Sequence, residues 1–564
     1  MHMNMKKIIS IFCCSILFLG LASCGKMLDV APPNALTDEQ IKDLLTNGTD
    51  AQKQMVLNAI ASPMAKYFNL WHIDSPVSAG VLAPMVYCYQ GIEWARTLQG
   101  NDVAFGYNSQ TNQLAGSPYY DGTAAFRNGE FAGNHAHWYG YAYCLNQANL
   151  VLGYMTKEAA AGSPFAKDGR VRGLLIRAYS YMCLMEEYCQ PYLSGGSEKL
   201  GMSLYTVYDP GQAPVARSSA ADTWKFIKDD LEEAVALAEA EGIGYTTDYD
   251  KLEDFDLGIA NFLLARACIL TGDWAKAVKA CDAIIKSGRY RFIEEACYGG
   301  HNTGADMSPE KLEFLPERNA FTGLRNNPEC IFGYIKTSAF NPHDQKNIAS
   351  YFTRLANPFG TYSASASCAR IDDRLYKQIA DNDFRKDAFT TEQIVNYSFK
   401  GSSLGNVPSY AALKFAATYG IADGGQSHLT VGAVDEQEFC KFRLAEVYLM
   451  KAEAEAMSGQ EAAAKNTLNE LLAARTRAGM PALTCDTYPS MAGLSVMKMV
   501  QLQYRIEMWG ENGREYFNNK RWNINVDRTG STTHVAKDMK LNWKDMTLDI
   551  PAKELEDNKL CVQD

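Results

Sequence analysis

The side chains that could do chemistry are plentiful in this chain but rarely placed for it. His135 and His137 stand two apart, a spacing that turns them to different faces of a helix and offers no shared metal site. Two Ser-x-x-Lys pairs, Ser308/Lys311 and Ser495/Lys498, could activate a serine, but the partner motifs of a penicillin-type hydrolase are missing. There is no H-E-x-x-H, no G-x-S-x-G elbow and no Walker loop. Asp248, Asp250, Asp254 and Asp256 gather carboxylates as a calcium loop would, yet the Asp/Asn/Gly pattern of an EF-hand is absent. They read instead as charges at the start of a helix opening at Leu257. With 65 acidic residues, glycosidase-like carboxylate pairs abound, and nothing singles one out. The expectation is no catalytic residue, no metal and no cofactor.

One residue does sit in a context that specifies chemistry. Lys6 and Lys7 precede an apolar run from Ile8 to Leu21, which is too short for a membrane span of about 20 residues. Basic, apolar, then small is the order of a secretory signal peptide. The run ends Leu21-Ala22-Ser23-Cys24, which resembles a bacterial lipobox, so Cys24 is the expected site of lipidation after cleavage. Two or three acyl chains anchor a protein essentially permanently, at about 0.8 kcal/mol per buried methylene. Residues 1–23 are read as the signal peptide, 24–45 as lipidated Cys and tether, and 46–564 as a single domain.

Composition narrows the partners. Hydrophobic residues make up 47% and charged residues 21%, ordinary for a globular chain. Loss of Lys6 and Lys7 with the signal takes the net charge from −11 to −13, and no basic patch interleaved with aromatics appears, which excludes nucleic acid as a partner class. The twelve cysteines after Cys24 show no C-x-x-C and no zinc spacing. Export permits disulfides, but Cys144, Cys183, Cys268, Cys281 and Cys440 fall in helical patterns, where a thiol serves as a small core hydrophobe. The expectation is mostly free thiols.

Helical periodicity dominates two blocks, about 134–290 and about 436–525, and they share an internal repeat. Ala265, Gly272, Ala277, Cys281 and Ile284 are matched by Ala452, Gly459, Ala464, Leu468 and Leu471 at a constant offset of 187 residues. Each set spells helix, tight glycine turn, helix, with small residues where the helices must approach; the spacing resembles a tetratricopeptide hairpin. Trp138–Tyr154 is expected to pair with Val171–Tyr188, and Asp222–Glu239 to form a helix capped by Ser218 or Ser219, with Trp224, Ile227, Leu231, Ala234, Val235 and Ala238 on one face. Such hairpins bury their cores only by stacking, so the two blocks must dock on each other. The segment between, about 291–435, reads as an irregular insertion with short strands. The predicted fold class is mostly α: a tetratricopeptide-like scaffold carrying a large loop-rich insertion.

These residues, taken in order, resemble the SusD/RagB family over essentially the whole mature chain. The resemblance rests on Trp138, Gly140, Tyr141, Asn146 and Asn149; on Arg177-Ala178-Tyr179; on Arg217-Ser218-Ser219 followed by Asp229-Asp230-Leu231; and on Asn327-Pro328-Glu329 and Asp383-x-Arg385. The most specific run is Phe442-Arg443-Leu444-Ala445-Glu446-Val447-Tyr448, followed by Arg475-Thr476-Arg477-Ala478-Gly479, Arg505-x-Glu507, Glu511, Arg514 and Arg521-Trp522, and closed by Ile550-Pro551, Glu554-Leu555 and Asn558. Tyr504 departs from the pattern, standing where the family often has Glu, which puts one scaffold ion pair in question. Arg443 and Glu446, three apart on a helix with Glu453 two turns on, and Glu511 with Arg514, read as charges that must be paired if buried.

The resemblance implies a lipid-anchored, surface-exposed outer-membrane protein that catalyses nothing. It would capture oligosaccharide and act as a lid on a TonB-dependent, SusC-like transporter. It places ligand on loops facing away from the scaffold. Here those are Tyr87–Gly133, with Tyr89, Trp94, Asn101, Asp102, Tyr107, Tyr119 and Tyr120, and, from the insertion, Tyr351, Phe352 and Tyr362. Aromatic faces can stack on sugar rings while amides and carboxylates fix hydroxyls. A peptide-binding lid, a surface glycoside hydrolase and a tetratricopeptide adaptor are the alternatives.

Overall fold

Small residues at the hairpin positions let the helices close on one another, and the computed structural model shows where they lead. It describes residues 38–56, 96–105, 127–209, 211–299, 319–335, 369–399, 402–415 and 438–564. Two compact units are distinguished, Met1–Ala59 and Ile60–Asp564. The first contributes the helix α1 (Asp38–Asn47). The second contains the rest.

The second unit is a row of helices. α2 (Ala132–Tyr154) packs on α3 (Pro164–Tyr188), α3 on α4 (Ala220–Ala240) and α4 on α5 (Leu257–Thr271), which turns back as α6 (Trp274–Lys286). α6 then packs directly on α7 (Leu444–Met457), which pairs with α8 (Glu461–Ala474) and touches α9 (Val496–Glu507). The two repeat copies are therefore neighbours in space although about 160 residues of chain separate α6 from α7. Both central helices are buried nearly all round: Ile259, Ala260, Phe262, Leu263 and Ala267 of α5, and Ala445, Val447, Leu449, Met450 and Ala454 of α7, are almost inaccessible. Such helices show no amphipathic stripe because neighbours cover every face.

The starts and stops follow the local chemistry. Ser163 caps α3, with Pro164 at the first helical position; Ser219 accepts from the Asp222 N–H at 3.0 Å to cap α4. Asp256 accepts from the Ile259 N–H at 3.1 Å, so the fourth residue of the acidic cluster is a helix cap. Asp248 caps a short 3-10 turn in the same way. Ser495 of one Ser-x-x-Lys pair caps α9 through the Lys498 N–H. Gly272 and Gly459 take φ of +78° and +76° at the two hairpin turns, the left-handed conformation that favours glycine.

Short antiparallel strand pairs decorate this scaffold. β1 (Val103–Phe105) pairs with β5 (Ala369–Ile371), β2 (Leu200–Ser203) with β3 (Arg217–Ser219), β4 (Cys330–Tyr334) with β8 (Phe439–Arg443), β6 (Ile394–Phe399) with β7 (Ser402–Val407), and β9 (Val526–Asp527) with β10 (Lys540–Leu541). The β4–β8 pair corrects one expectation: Phe442, Arg443 and Cys440 are in a strand, not a helix, with Arg443 extended at φ −147° and helix α7 beginning only at Leu444. The apolar run is shared between the two elements, and pairing with β4 decides where one ends. The ten described cysteines after Cys24 are free thiols, nine of them buried. Among the described residues no helix is long and apolar enough to cross a membrane.

The turn geometry has a direct consequence. A Cβ at Gly459 would touch nothing but must adopt the left-handed conformation, so Gly459→Ala should cost about 1 kcal/mol. Gly153, helical within α2 and equally unobstructed, should gain about 0.5–1 kcal/mol as Ala. Denaturant titration of the two variants should therefore show shifts of opposite sign.

Candidate ligand-binding site

Of the residues expected to contact ligand, Asn101 and Asp102 lie in the described part of the chain; Trp94, Tyr89, Tyr107, Tyr119, Tyr120, Tyr351, Phe352 and Tyr362 lie outside it, as does Cys24. Asn101 and Asp102 belong to a short segment, 96–105, that the C-terminal part of the chain holds by its backbone. Glu515, on α10 (Arg514–Arg521), accepts the N–H of Asn101 at 2.5 Å and of Asp102 at 2.9 Å. Trp509 donates its indole N–H to the Asp102 carbonyl at 2.7 Å, and Arg528 donates to the carbonyls of Leu98 and Gly100. His534 Nε2 bonds the Asn101 carbonyl at 2.7 Å. Gly100 is required for this approach, because a Cβ there would stand 2.0 Å from a Glu515 carboxylate oxygen.

The two side chains are used differently. The Asp102 carboxylate is 1% exposed and bonds Arg505 of α9 through both oxygens, at 2.5 and 2.9 Å. The Asn101 amide oxygen accepts the Asp527 N–H at 3.0 Å, and the residue keeps partial exposure. Asp102 thus fixes the segment while Asn101 stays at its solvent side. The clamp continues into β1, which pairs with β5 so that Val103 faces Ile371. The aromatic stretches containing Trp94 and Tyr107 therefore join the scaffold at the two ends of one clamped segment.

Burial shapes the charges here. It pushes Asp102 up, against the pull of Arg505, and pushes Glu515 up to about 8, with the Asp102 carboxylate adding to the effect. It lowers His534 to about 3, aided by Arg528, so that imidazole is neutral.

Beneath the clamp lies a larger polar assembly. Arg385, Arg443, Arg475 and Lys414 meet Asp383, Glu329, Glu507 and Glu511, four cations against four carboxylates, every side chain at most 4% exposed. Arg443 bonds Glu329 at 2.8 Å, Glu507 at 2.7 Å and Glu511 at 2.7 and 2.8 Å. Arg475 reaches Glu507 and Glu329, and Arg385 joins Asp383 to Glu507. Burial alone would raise Glu507, but Arg475, Arg443 and Arg385 hold it well below the carboxylate range. Lys414 is pushed down to about 8 by burial. The pairing differs from the i, i+3 pairs expected: Glu446 meets Arg514 at 2.5 Å and Glu453 meets Arg521, both between elements. Tyr504 contributes no charge; it is buried edge-on against Trp522, and the neighbouring Arg505 turns to Asp102 instead. His137 is equally committed, its Nδ1 2.6 Å from Glu187 in the core, while His135 bonds the Gly129 carbonyl.

Residues 369–560 match the model of the SusD family. Over that C-terminal stretch the chain is similar to the SusD family. Solved structures titled as SusD superfamily or SusD-like proteins share the fold over about nine-tenths of this chain. A SusD superfamily protein from Bacteroides thetaiotaomicron is 17% identical with a TM-score of 0.63, over 90% of this chain and 99% of its own. A SusD-like carbohydrate binding protein from Bacteroides vulgatus is 18% identical with a TM-score of 0.62, over 90% and 96%. A SusD superfamily protein from Parabacteroides distasonis is 14% identical with a TM-score of 0.61, over 91% and 99%. No curated protein matches the chain.

The D-x-R, R-L-A-E, R-T-R-A-G and R-x-E elements of this SusD-like sequence all feed the buried network or its edge. The clamp itself was not anticipated. Asn101 and Asp102 were singled out as ligand-contact candidates, but Glu515 and Arg528 carry no local signal that would link them to that segment.

Two outcomes follow from these contacts. Arg443→Met leaves four buried carboxylates facing three cations and should cost about 3–5 kcal/mol in chemical unfolding. Glu515 releases its proton near 4.5 when unfolded and near 8 when folded. Its stabilising contribution is therefore full below pH 4.5 and is lost as pH rises through 8. Glu515→Gln should flatten that fall, read as the difference between variant and wild-type unfolding free energies across pH 5–8.

Proposed function

We propose that this protein is a surface-exposed lipoprotein of the outer membrane. It captures oligosaccharide and delivers it to a partner TonB-dependent, SusC-like transporter, without catalysing a reaction. The observation that carries the reading is the partial family match joined to the clamp: a SusD-like scaffold holds, by Glu515, Arg505 and Arg528, a described segment that adjoins the aromatic stretches in sequence.

In this reading Trp94, Tyr89, Tyr107, Tyr119 and Tyr120 supply stacking faces for sugar rings and Asn101 a directed hydrogen bond. Asp102 acts by fixing the segment that carries them, because its carboxylate is spent on Arg505. Holding the backbone in place before ligand arrives lowers the ordering cost of binding. Acylation at Cys24 keeps the protein at the membrane beside its transporter. The Bacteroides vulgatus relative described as carbohydrate binding supports sugar as the ligand class.

The chain lacking residues 1–24 should bind members of a glycan panel and not extended peptides. Trp94→Ala should weaken that binding about tenfold or more with an unchanged unfolding midpoint. Binding confined to the peptide arm would sink the sugar reading, and release of reducing ends would sink the non-catalytic one. Cys24→Ala should move the protein from the membrane fraction to the soluble one.

A further inference from the structure

A second concave site lies in the scaffold and shares no residue with the 96–105 clamp. It is a cavity of about 310 Å³ where the C-terminal ends of α3, α5, α7 and α10 converge. That volume is at the lower end of small-molecule sites, roughly 300–1,000 Å³, and suits one ring or two. Met457 and Leu193 stand 48% and 51% exposed at its rim, so it opens to solvent.

The polar groups of the wall fall into two classes. The charged ones are spent. Lys520 gives its three donors to the carbonyls of Glu186, Glu187 and Cys189, at 2.6, 3.2 and 3.0 Å. Both carboxylate oxygens of Glu453 are taken, by Arg521 and by the Trp522 indole N–H, and Glu186 meets Arg266 at 2.5 Å. The neutral ones are free. The side chains of Tyr192, Ser194, Trp224, Trp274, Gln501 and Asn523 line the cavity and have no hydrogen-bond partner among the described residues. They reach it from five separate segments: the 3-10 turn after α3, then α4, the start of α6, α9 and the turn after α10. Trp224 is 5% exposed, yet its indole N–H is neither paired among the described residues nor sealed from solvent. An almost buried donor left open at a cavity wall is available to a guest.

These groups decide the kind of guest. An ion would find each counter-charge occupied. A purely aromatic compound would cover the indoles but cut most of the six free groups off from water without replacing it. An extended peptide carries its polar groups along one line, whereas these converge from five segments. A sugar ring has an apolar C–H face to lie on an indole and a rim of hydroxyls, each both donor and acceptor. The two indoles only donate, while the phenol, the hydroxyl and the two amides do both, so sugar hydroxyls of either sense find a partner.

We propose that this cavity binds one neutral sugar residue, a free monosaccharide or the end of a longer glycan, independently of the loop site. The ring lies on Trp274, and its hydroxyls bond the Trp224 N–H and the Gln501 amide. The cavity is built by helix packing, so it exists whether or not the loops carry ligand.

The test uses the full chain, labelled with 5-fluorotryptophan and held in lipid nanodiscs, with fluorine NMR as readout. Trp224→Phe and Trp274→Phe assign the two cavity resonances. The probes are the methyl glycosides of glucose, galactose, mannose, xylose and N-acetylglucosamine, with glucuronic acid, indole and N-acetyl-trialanine amide beside them. At least one neutral glycoside should shift the Trp224 and Trp274 resonances saturably, and none of the other three probes should bind there as tightly. Gln501→Ala should weaken that glycoside about threefold to tenfold, and Trp274→Ala, read at Trp224, about tenfold or more, while the circular dichroism melting curve stays in place. No glycoside shift at these resonances, an unchanged affinity in either variant, or tighter binding of the acid, the indole or the peptide would overturn the proposal. The loop site is read at Trp94, so a shift confined to Trp94 would overturn the cavity and leave the loop reading standing.

Discussion

Charge neutrality inside the scaffold is the constraint on which the rest depends. Glu507 and Arg443 are each sealed from water and each meet several partners, so neither can lose its neighbours without leaving a bare charge in a low-dielectric interior. Those neighbours come from the segment before β4, from the turn at Asp383, from the end of β8, from the end of α8 and from α9. Five stretches of chain are thus held to one arrangement by a requirement stricter than hydrophobic contact. A greasy interface tolerates sliding; an interlocked set of directed ion pairs does not. The network adds specificity of assembly more than it adds net stability, because the desolvation of eight charged groups offsets much of their attraction.

The clamp on residues 96–105 extends the same logic to the edge of the scaffold. α9 carries Glu507 into the network and Arg505 to Asp102, and the following turn and α10 carry Glu511 inward and Glu515 to the backbone of Asn101. One stretch of about ten residues therefore couples the interior to the 96–105 segment. A recognition loop attached by backbone hydrogen bonds can vary its side chains freely, since its position is set by groups that every residue type possesses. The fold can keep its frame while the side chains of that segment change.

The helical part was legible in the residues themselves. Glycine at 272 and 459, small residues at 265, 277, 452 and 464, and the constant offset between them predicted two hairpins, and both are present with the glycines in the left-handed conformation. The cap at Ser219 was readable for the same reason, being set by neighbours three residues away. The boundary at Arg443 was misread because an apolar run suits strand and helix alike, and pairing with Cys330–Tyr334 arbitrates between them. Of the candidate site, the residue types were visible but their division of labour was not: Asp102 and Asn101 are adjacent and similar, yet one is buried on Arg505 and the other, partly exposed, holds the Asp527 N–H.

What the residues alone determined was what short range governs: the helix periods, the turns, the caps and the need for any buried charge in the motifs to find a partner. Only the tertiary structure decided which partner. Glu515 lies more than four hundred residues from Asn101 and Asp102, and Arg443 sixty-four from Glu507. A carboxylate is attracted to every arginine in the chain, and no local pattern ranks them. The choice falls to the stacking of α6 on α7, which brings some pairs within bonding distance and leaves the others to water.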